Sequence, residues 1–152
     1  MELDAGKARQ HAIKWLARRE YSRHELYQKL LTKGCSEAIA QSVSDGLAAE
    51  GLLSDERFIA SLIRVRRGRG YGPLRIRLEL QEKGIAPEIA EGAVAARSRD
   101  WLDEIRRVRR KKFGASMPAT YAERARQARF LQSRGFSSDQ IFEVLKARED
   151  ED

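Results

Sequence analysis

This sequence predicts an all-α fold of three tandem three-helix units, of the helix-turn-helix type, stacked as an elongated, curved array. Three observations carry that expectation. One local pattern (Leu, two residues, a base, Gly, an apolar residue, a short polar turn, then Ile) occurs three times, around Gly34, Gly84 and Gly135. Apolar residues recur elsewhere at helical spacing, and no stretch alternates with the period of two that marks a half-buried strand. Finally, 41% hydrophobic content beside 35% charge suits a thin helical array, with its high ratio of surface to volume, better than one sphere.

The recurring pattern reads as a joint between helices. Leu30 to Ile39, Leu80 to Ile89 and Leu131 to Ile141 are its three copies, spaced by about 50 residues with one extra residue in the third turn. Glycine at a helix C-terminus adopts the left-handed conformation that ends the helix, and the preceding Lys33, Lys83 or Arg134 faces the negative end of the dipole. Ser36, Pro87 and Ser137 or Ser138 then open the next helix. The apolar residue after the glycine tucks into the core, which makes Cys35, the counterpart of Ile85 and Phe136, a buried structural thiol.

Each joint follows a further helix. Ala8, Ala12, Trp15 and Leu16 mark the first; Phe58, Ile59, Leu62, Ile63 and Val65 the second; Trp101, Leu102, Ile105 and Val108 the third. Starts are signalled by a capping box at Ser22–Glu25, by acids at Asp55 and Glu56, and by Pro73 and Pro118. The expected helices are 7–19, 22–33, 36–49, 55–68, 73–83, 87–98, 100–113, 118–133 and 138–148, in repeats 1–53, 54–99 and 100–152. Leu47, Leu52 and Leu53 are expected at the first junction between repeats and Trp101 at the second, and Glu149–Asp152 as a frayed acidic tail.

With 30 Lys and Arg against 23 acids, the formal charge is +7, which favours a polyanionic partner. One cysteine excludes an internal disulfide framework. The acidic start has no apolar core of a signal peptide, and no apolar run approaches the roughly 20 residues of a membrane span. A cytoplasmic protein, monomeric and without membrane contact, is expected.

Two basic segments stand out. Arg64, Arg66, Arg67, Arg69, Arg75 and Arg77 share one stretch with Gly68, Gly70, Gly72 and Tyr71. Arginines make paired contacts to phosphate or carboxylate, glycines allow close backbone approach, and Tyr71 is a candidate base-stacking residue. The plainer alternative is a cation-rich helix end followed by a Gly-Pro turn. In the second segment, Arg106, Arg107, Arg109, Arg110, Lys111 and Lys112 surround one helix, and no acid occurs between Glu104 and Glu123. Such like charges repel one another, so polyanion binding is the simplest gain.

No catalytic constellation is apparent, and no enzyme, cofactor or metal site is expected. The chain lacks a phosphate-binding Gly-x-x-x-x-Gly-Lys-Ser/Thr loop, its glycine-rich stretch follows a helix instead of a strand, and one Cys with two His does not build a structural zinc site. Glu79 and Glu82 are expected to pair with Arg75 and Lys83.

Three blocks then carry a family resemblance: Ser22-x-x-Glu25-Leu26-x-x-Lys29-Leu30-x-x-Lys33-Gly34; Gly51-Leu52-Leu53-x-Asp55-x-Arg57-Phe58; and Arg66-x-x-Arg69-Gly70-x-Gly72-Pro73-x-x-Ile76-x-x-Glu79-Leu80-x-x-Lys83-Gly84. Together they strongly resemble the RecX family over essentially the whole chain. Cys35 departs from the usual aromatic or aliphatic residue, and the third repeat keeps only the surroundings of Gly135-Phe136. The resemblance implies three tandem three-helix repeats. It also implies binding along the RecA–DNA filament, inhibition of RecA's ATPase and strand exchange, and some weak, non-specific binding of single- or double-stranded DNA. The family motif does not itself mark contact residues, so the two basic segments are the expected binding surface. A tandem helix-turn-helix DNA-binding protein acting without a recombinase is the alternative.

Overall fold

A computed structural model describes residues 2–96 and 98–146. Nine helices follow in order among them: α1 (Ala5–Arg18), α2 (Arg23–Lys33), α3 (Glu37–Ala49), α4 (Asp55–Gly68), α5 (Pro73–Glu82), α6 (Pro87–Ala95), α7 (Ser98–Phe113), α8 (Tyr121–Ser133) and α9 (Ser138–Leu145).

All three glycine joints are built alike. Gly34, Gly84 and Gly135 have φ of 114°, 86° and 97°. The next residue's N–H reaches back to the leucine carbonyl five positions earlier: Cys35 to Leu30, Ile85 to Leu80 and Phe136 to Leu131. This hydrogen bond of the Schellman type explains why the motif needs Leu, Gly and an apolar residue at fixed spacing. It closes the helix while folding both apolar side chains inward, and all six residues are buried.

Helix starts follow the caps. Asp4, Ser22, Ser36, Thr120 and Ser137 each accept a hydrogen bond from the backbone N–H three residues on. Ser137 and Gln140 complete a reciprocal capping box. At Ser22 only half of the expected box forms. The Glu25 carboxylate turns instead to Arg19 at 2.8 Å and Lys83 at 3.3 Å.

The eighth helix departs from expectation at its start. It begins at Tyr121 with Thr120 as cap, and Pro118 lies in the preceding loop. The physical reason is Arg109, whose guanidinium ties down that loop by donating to the carbonyls of Gly114 and Ser116. The region around residues 97–99 and the acidic tail Glu149–Asp152 lie outside, or partly outside, the described residues.

The chain forms two compact units, residues 1–62 with 80–87 and residues 63–79 with 88–152. In the first, α1, α2 and α3 pack around Ala8, Ala12, Tyr21, Leu26, Leu30, Leu47 and Leu53. Of the three leucines expected at the first junction, Leu47 and Leu53 are buried, whereas Leu52 is 44% exposed. In the second, α7, α8 and α9 enclose Trp101, Ile105, Leu131 and Phe136. The Trp101 indole N–H donates to the Val94 carbonyl at 2.9 Å, which fastens the end of α6 to α7.

Candidate polyanion-binding cleft

Within the second unit, the Gly70 turn, α7 and the end of α8 enclose a cleft of about 280 Å³. Gly68, Arg69 and Gly70 form one wall, Arg107, Val108, Lys111 and Lys112 another, and Phe130 and Arg134 a third. No acid lines it.

The turn that brings Arg69 here is another left-handed helix ending. Tyr71 N–H bonds to the Arg66 carbonyl, and Gly70, at φ 85°, packs on the Val108 side chain. Gly72 and Leu74 then donate to the carbonyls of Arg134 and Gly135 at 2.7 and 2.9 Å. The third joint is thereby seated on the start of α5. A Cβ at Gly135 would collide with the Arg75 Cβ and lie 2.8 Å from its backbone N, so glycine is required there for close approach as well as for its φ.

Aromatic rings and cations alternate along this wall. The Arg75 guanidinium lies 4.0 Å from the Tyr71 ring centroid, and that of Arg134 lies 5.2 Å from both Tyr71 and Phe130. Lys112 Nζ lies 5.4 Å from the Phe130 centroid. These contacts hold cations in place without cancelling their charge. They also occupy Tyr71, whose half-buried ring already carries two guanidiniums and is no open platform for a base.

The thirteen residues singled out in the sequence have different fates. Arg64, Arg69, Arg110 and Lys111 are exposed and without an ion pair among the described residues. Arg106 makes a long pair with Asp103 at 3.6 Å. Arg107 bonds to Glu104 at 2.8 Å and to the Arg67 carbonyl. Arg66 pairs with Glu79 at 2.8 Å, and Arg67 approaches Asp100 and Glu104 at 3.8 Å. The pairing expected of Glu79 with Arg75 is thus replaced by one with Arg66, and Lys83 goes to Glu25 instead of Glu82. Arg77 is half-buried, with its Nε lacking a hydrogen-bond partner.

Arg109 is the clear correction. It is 4% exposed, bonded to Gln127 Oε1 and two loop carbonyls, and cannot be part of a cationic surface. Burial, helped by neighbouring Arg110, pushes its pKa down from the usual guanidinium value. Trp101, Ile105 and Val108 occupy positions i, i+4 and i+7 of α7, and Arg109 is i+8 of that same buried stripe. The spacing held this signal. Arg134, which the sequence places only as the base closing its helix, and Phe130 join the cleft without a signal in the basic segments. The repeat itself could have found Arg134, because Lys83, its counterpart, sits beside Ser22–Glu25 in the same way.

No cluster of three His, Cys, Asp or Glu able to hold a metal occurs among the described residues. Nor is any described helix long and apolar enough to cross a membrane.

Comparison with known proteins matches this chain throughout. Models of the first, second and third three-helix domains of RecX cover residues 8–45, 54–94 and 99–145. Regulatory protein RecX of Halorhodospira halophila is 42% identical over 144 residues, 95% of this chain and 89% of that protein. Regulatory protein RecX of Acidithiobacillus ferrooxidans is 43% identical over 145 residues, 93% of this chain and 90% of its own length. The crystal structure of RecX from Lactobacillus salivarius has the same fold, with a TM-score of 0.78 at 22% identity, covering 93% of this chain and 94% of that one.

Proposed function

The chain belongs to the RecX family, whose named relatives are regulatory proteins, and on that premise we propose that it regulates the RecA recombinase. It binds the RecA–DNA filament along its helical groove. There it restrains ATP hydrolysis, strand exchange and filament growth, and so modulates recombination and DNA repair. The protein acts as a monomer and needs no cofactor.

The observation that carries this reading is the acid-free cleft of the second unit, with Arg69, Lys111, Lys112 and Arg134 around one concavity. Fixed cations in a concave wall attract a polyanion more strongly than the same charges on a convex face, because field lines converge there. DNA phosphates or an acidic filament surface are the matching partner. Arg64, Arg106, Arg107 and Arg110 extend the basic surface, and Arg75 flanks it. Binding to naked DNA is weak, non-specific and abolished by salt, because it rests on phosphate contacts alone.

The test is to titrate the protein into RecA filaments on single-stranded DNA while following ATP hydrolysis. Loss of hydrolysis well below one protein per protomer supports filament binding with propagated disassembly, and loss near saturation supports coating of the groove. Unchanged hydrolysis, with firm, sequence-selective binding to naked DNA, would instead identify a tandem helix-turn-helix DNA reader.

A further inference from the structure

The basic cleft leaves a second concavity of the third repeat unexplained. Tyr121, Arg124, Ala125, Ala128, Arg129 and Gln132 are one stripe of α8, at helical spacing. Facing them, Ile141, Phe142 and Leu145 form a stripe of α9, and the two stripes bound an open groove of about 570 Å³. Its floor is small and apolar, and its rims carry Phe142 at 69% exposure and Tyr121 at 81%. Helix α7 covers another side of the α8–α9 pair, so this groove occupies the place a fourth helix would take.

Charge decides between occupants. Arg124, Arg129 and Lys146 line the groove, and no acid does among the described residues. Neither Arg124 nor Arg129 has an ion pair among the described residues; Lys146 alone is paired, with Glu143 at 3.0 Å. An isolated exposed phenylalanine is ordinary, but two large aromatics flanking an apolar trough beside two arginines that make no ion pair among the described residues are not. We propose that the α8–α9 groove is a docking site for an acidic amphipathic helix of a protein partner. The partner's aromatic or aliphatic row lies between Tyr121 and Phe142, and its flanking carboxylates meet Arg124 and Arg129. Recognition of this kind needs an apolar row at helical spacing and opposite charge along its edges. It stands independently of the RecA reading, since it uses a different face of the unit and a different chemistry from the cleft.

The experiment uses the full-length protein and a fluorescein-labelled synthetic helix of about five turns, long enough to hold some helicity, with Leu and Phe on one face and Glu on both edges. Fluorescence anisotropy is expected to show saturable binding that weakens about tenfold or more in Phe142→Ala, as for a central aromatic anchor. Arg124→Glu with Arg129→Glu should abolish binding and confer it on a peptide with the same apolar row and Lys edges. Lys111→Ala with Lys112→Ala in the cleft should leave it unchanged. Phe142 and Arg129 are exposed and Arg124 is half-buried, so these variants spare the buried core, and thermal melting checks that they do. The proposal is overturned if a scrambled peptide of identical composition binds equally, or if Phe142→Ala has no effect. It is also overturned if sedimentation equilibrium shows a dimer of this chain that Phe142→Ala dissolves, since the groove is then filled by a second copy.

Discussion

The Gly84 and Gly135 joints are seated in the same way on the preceding repeat, yet they leave opposite electrostatics. In the first unit, Ser22 Oγ donates to the Lys83 carbonyl at 2.7 Å; in the second, Gly72 N–H donates to the Arg134 carbonyl at the same distance. Each glycine lacks room for a Cβ, against His24 in one case and Arg75 in the other. Around the first joint, however, Glu25 meets Lys83 and Arg19. Around the second, the residue fifty positions after Glu25 is Arg75, and it shares the Tyr71 ring with Arg134. One backbone lock is therefore internally neutralised while its copy keeps its positive charge. Duplicated structure fixes the fold, and a carboxylate-to-guanidinium difference at one position separates a structural joint from a candidate binding surface.

The strongest way to break the shared part of this comparison is to add a methyl group at either lock. Gly84→Ala and Gly135→Ala each combine a positive φ with a backbone or Cβ collision, and each should cost about 2–4 kcal/mol in a denaturant titration. Gly92→Ala, inside α6 with nothing within 4 Å of the new methyl, should be neutral or stabilise by up to about 1 kcal/mol.

Next in size is Arg109→Ala. It leaves Gln127 and the Gly114 and Ser116 carbonyls without a donor, so it should cost about 1–3 kcal/mol of stability. It should not selectively change the salt dependence of polyanion binding. A selective change there would return Arg109 to the binding surface.

Arg75→Glu sharpens the difference between the joints directly, because it places beside Arg134 the acid that Lys83 has in Glu25. Affinity for single-stranded DNA should fall several-fold, and the slope of log affinity against log salt should flatten by about two cations, one for the lost Arg75 and one for Arg134 neutralised beside the new acid. The melting temperature should hold or rise slightly. An unchanged slope would show that Arg75 and Arg134 do not act on the polyanion.

The smallest effect is expected at Glu25. Burial pushes its carboxyl pKa up, but the Arg19 hydrogen bonds and the charges of Arg19 and Lys83 outweigh this and hold it below the usual range. A carboxyl lowered in the folded state stabilises above its unfolded pKa of about 4.3 and loses that contribution as pH falls through the folded value. Glu25→Gln should therefore cost under about 1 kcal/mol at pH 7, as for partly exposed pairs. The gap to the unsubstituted protein should close as the pH drops below about 4. A gap that persists in acid would assign the loss to packing.

What was legible in the sequence follows the same division. Joints and caps are local devices, spelled within about six residues by Leu, Gly, Ser and Pro, so the helices and the inward turn of Cys35, Ile85 and Phe136 could be read directly. The late start of α8 was hidden because it depends on Arg109 reaching across a loop. Charge partners were least legible. Whether an arginine is neutralised depends on residues distant in sequence, as when Arg66 takes Glu79, so a run of cations alone did not distinguish Arg66 from Arg69. Arg134 joined the cleft through tertiary seating of the third joint, which only the repeat register hints at.

The most direct test of the claim that the second unit's basic cleft carries regulation compares two triple variants. One is Arg69→Ala with Lys111→Ala and Lys112→Ala; the other removes exposed cations of the first unit, Lys14→Ala with Arg18→Ala and Lys33→Ala. Both have the same net charge, and ATP hydrolysis by RecA filaments on single-stranded DNA is followed at matched salt. The cleft variant should need about tenfold or more protein for half-inhibition, equivalent to roughly 1.4 kcal/mol, while the first-unit variant stays near the unsubstituted protein. Equal losses in both would mean that only total charge matters, and full inhibition by the cleft variant would contradict the account.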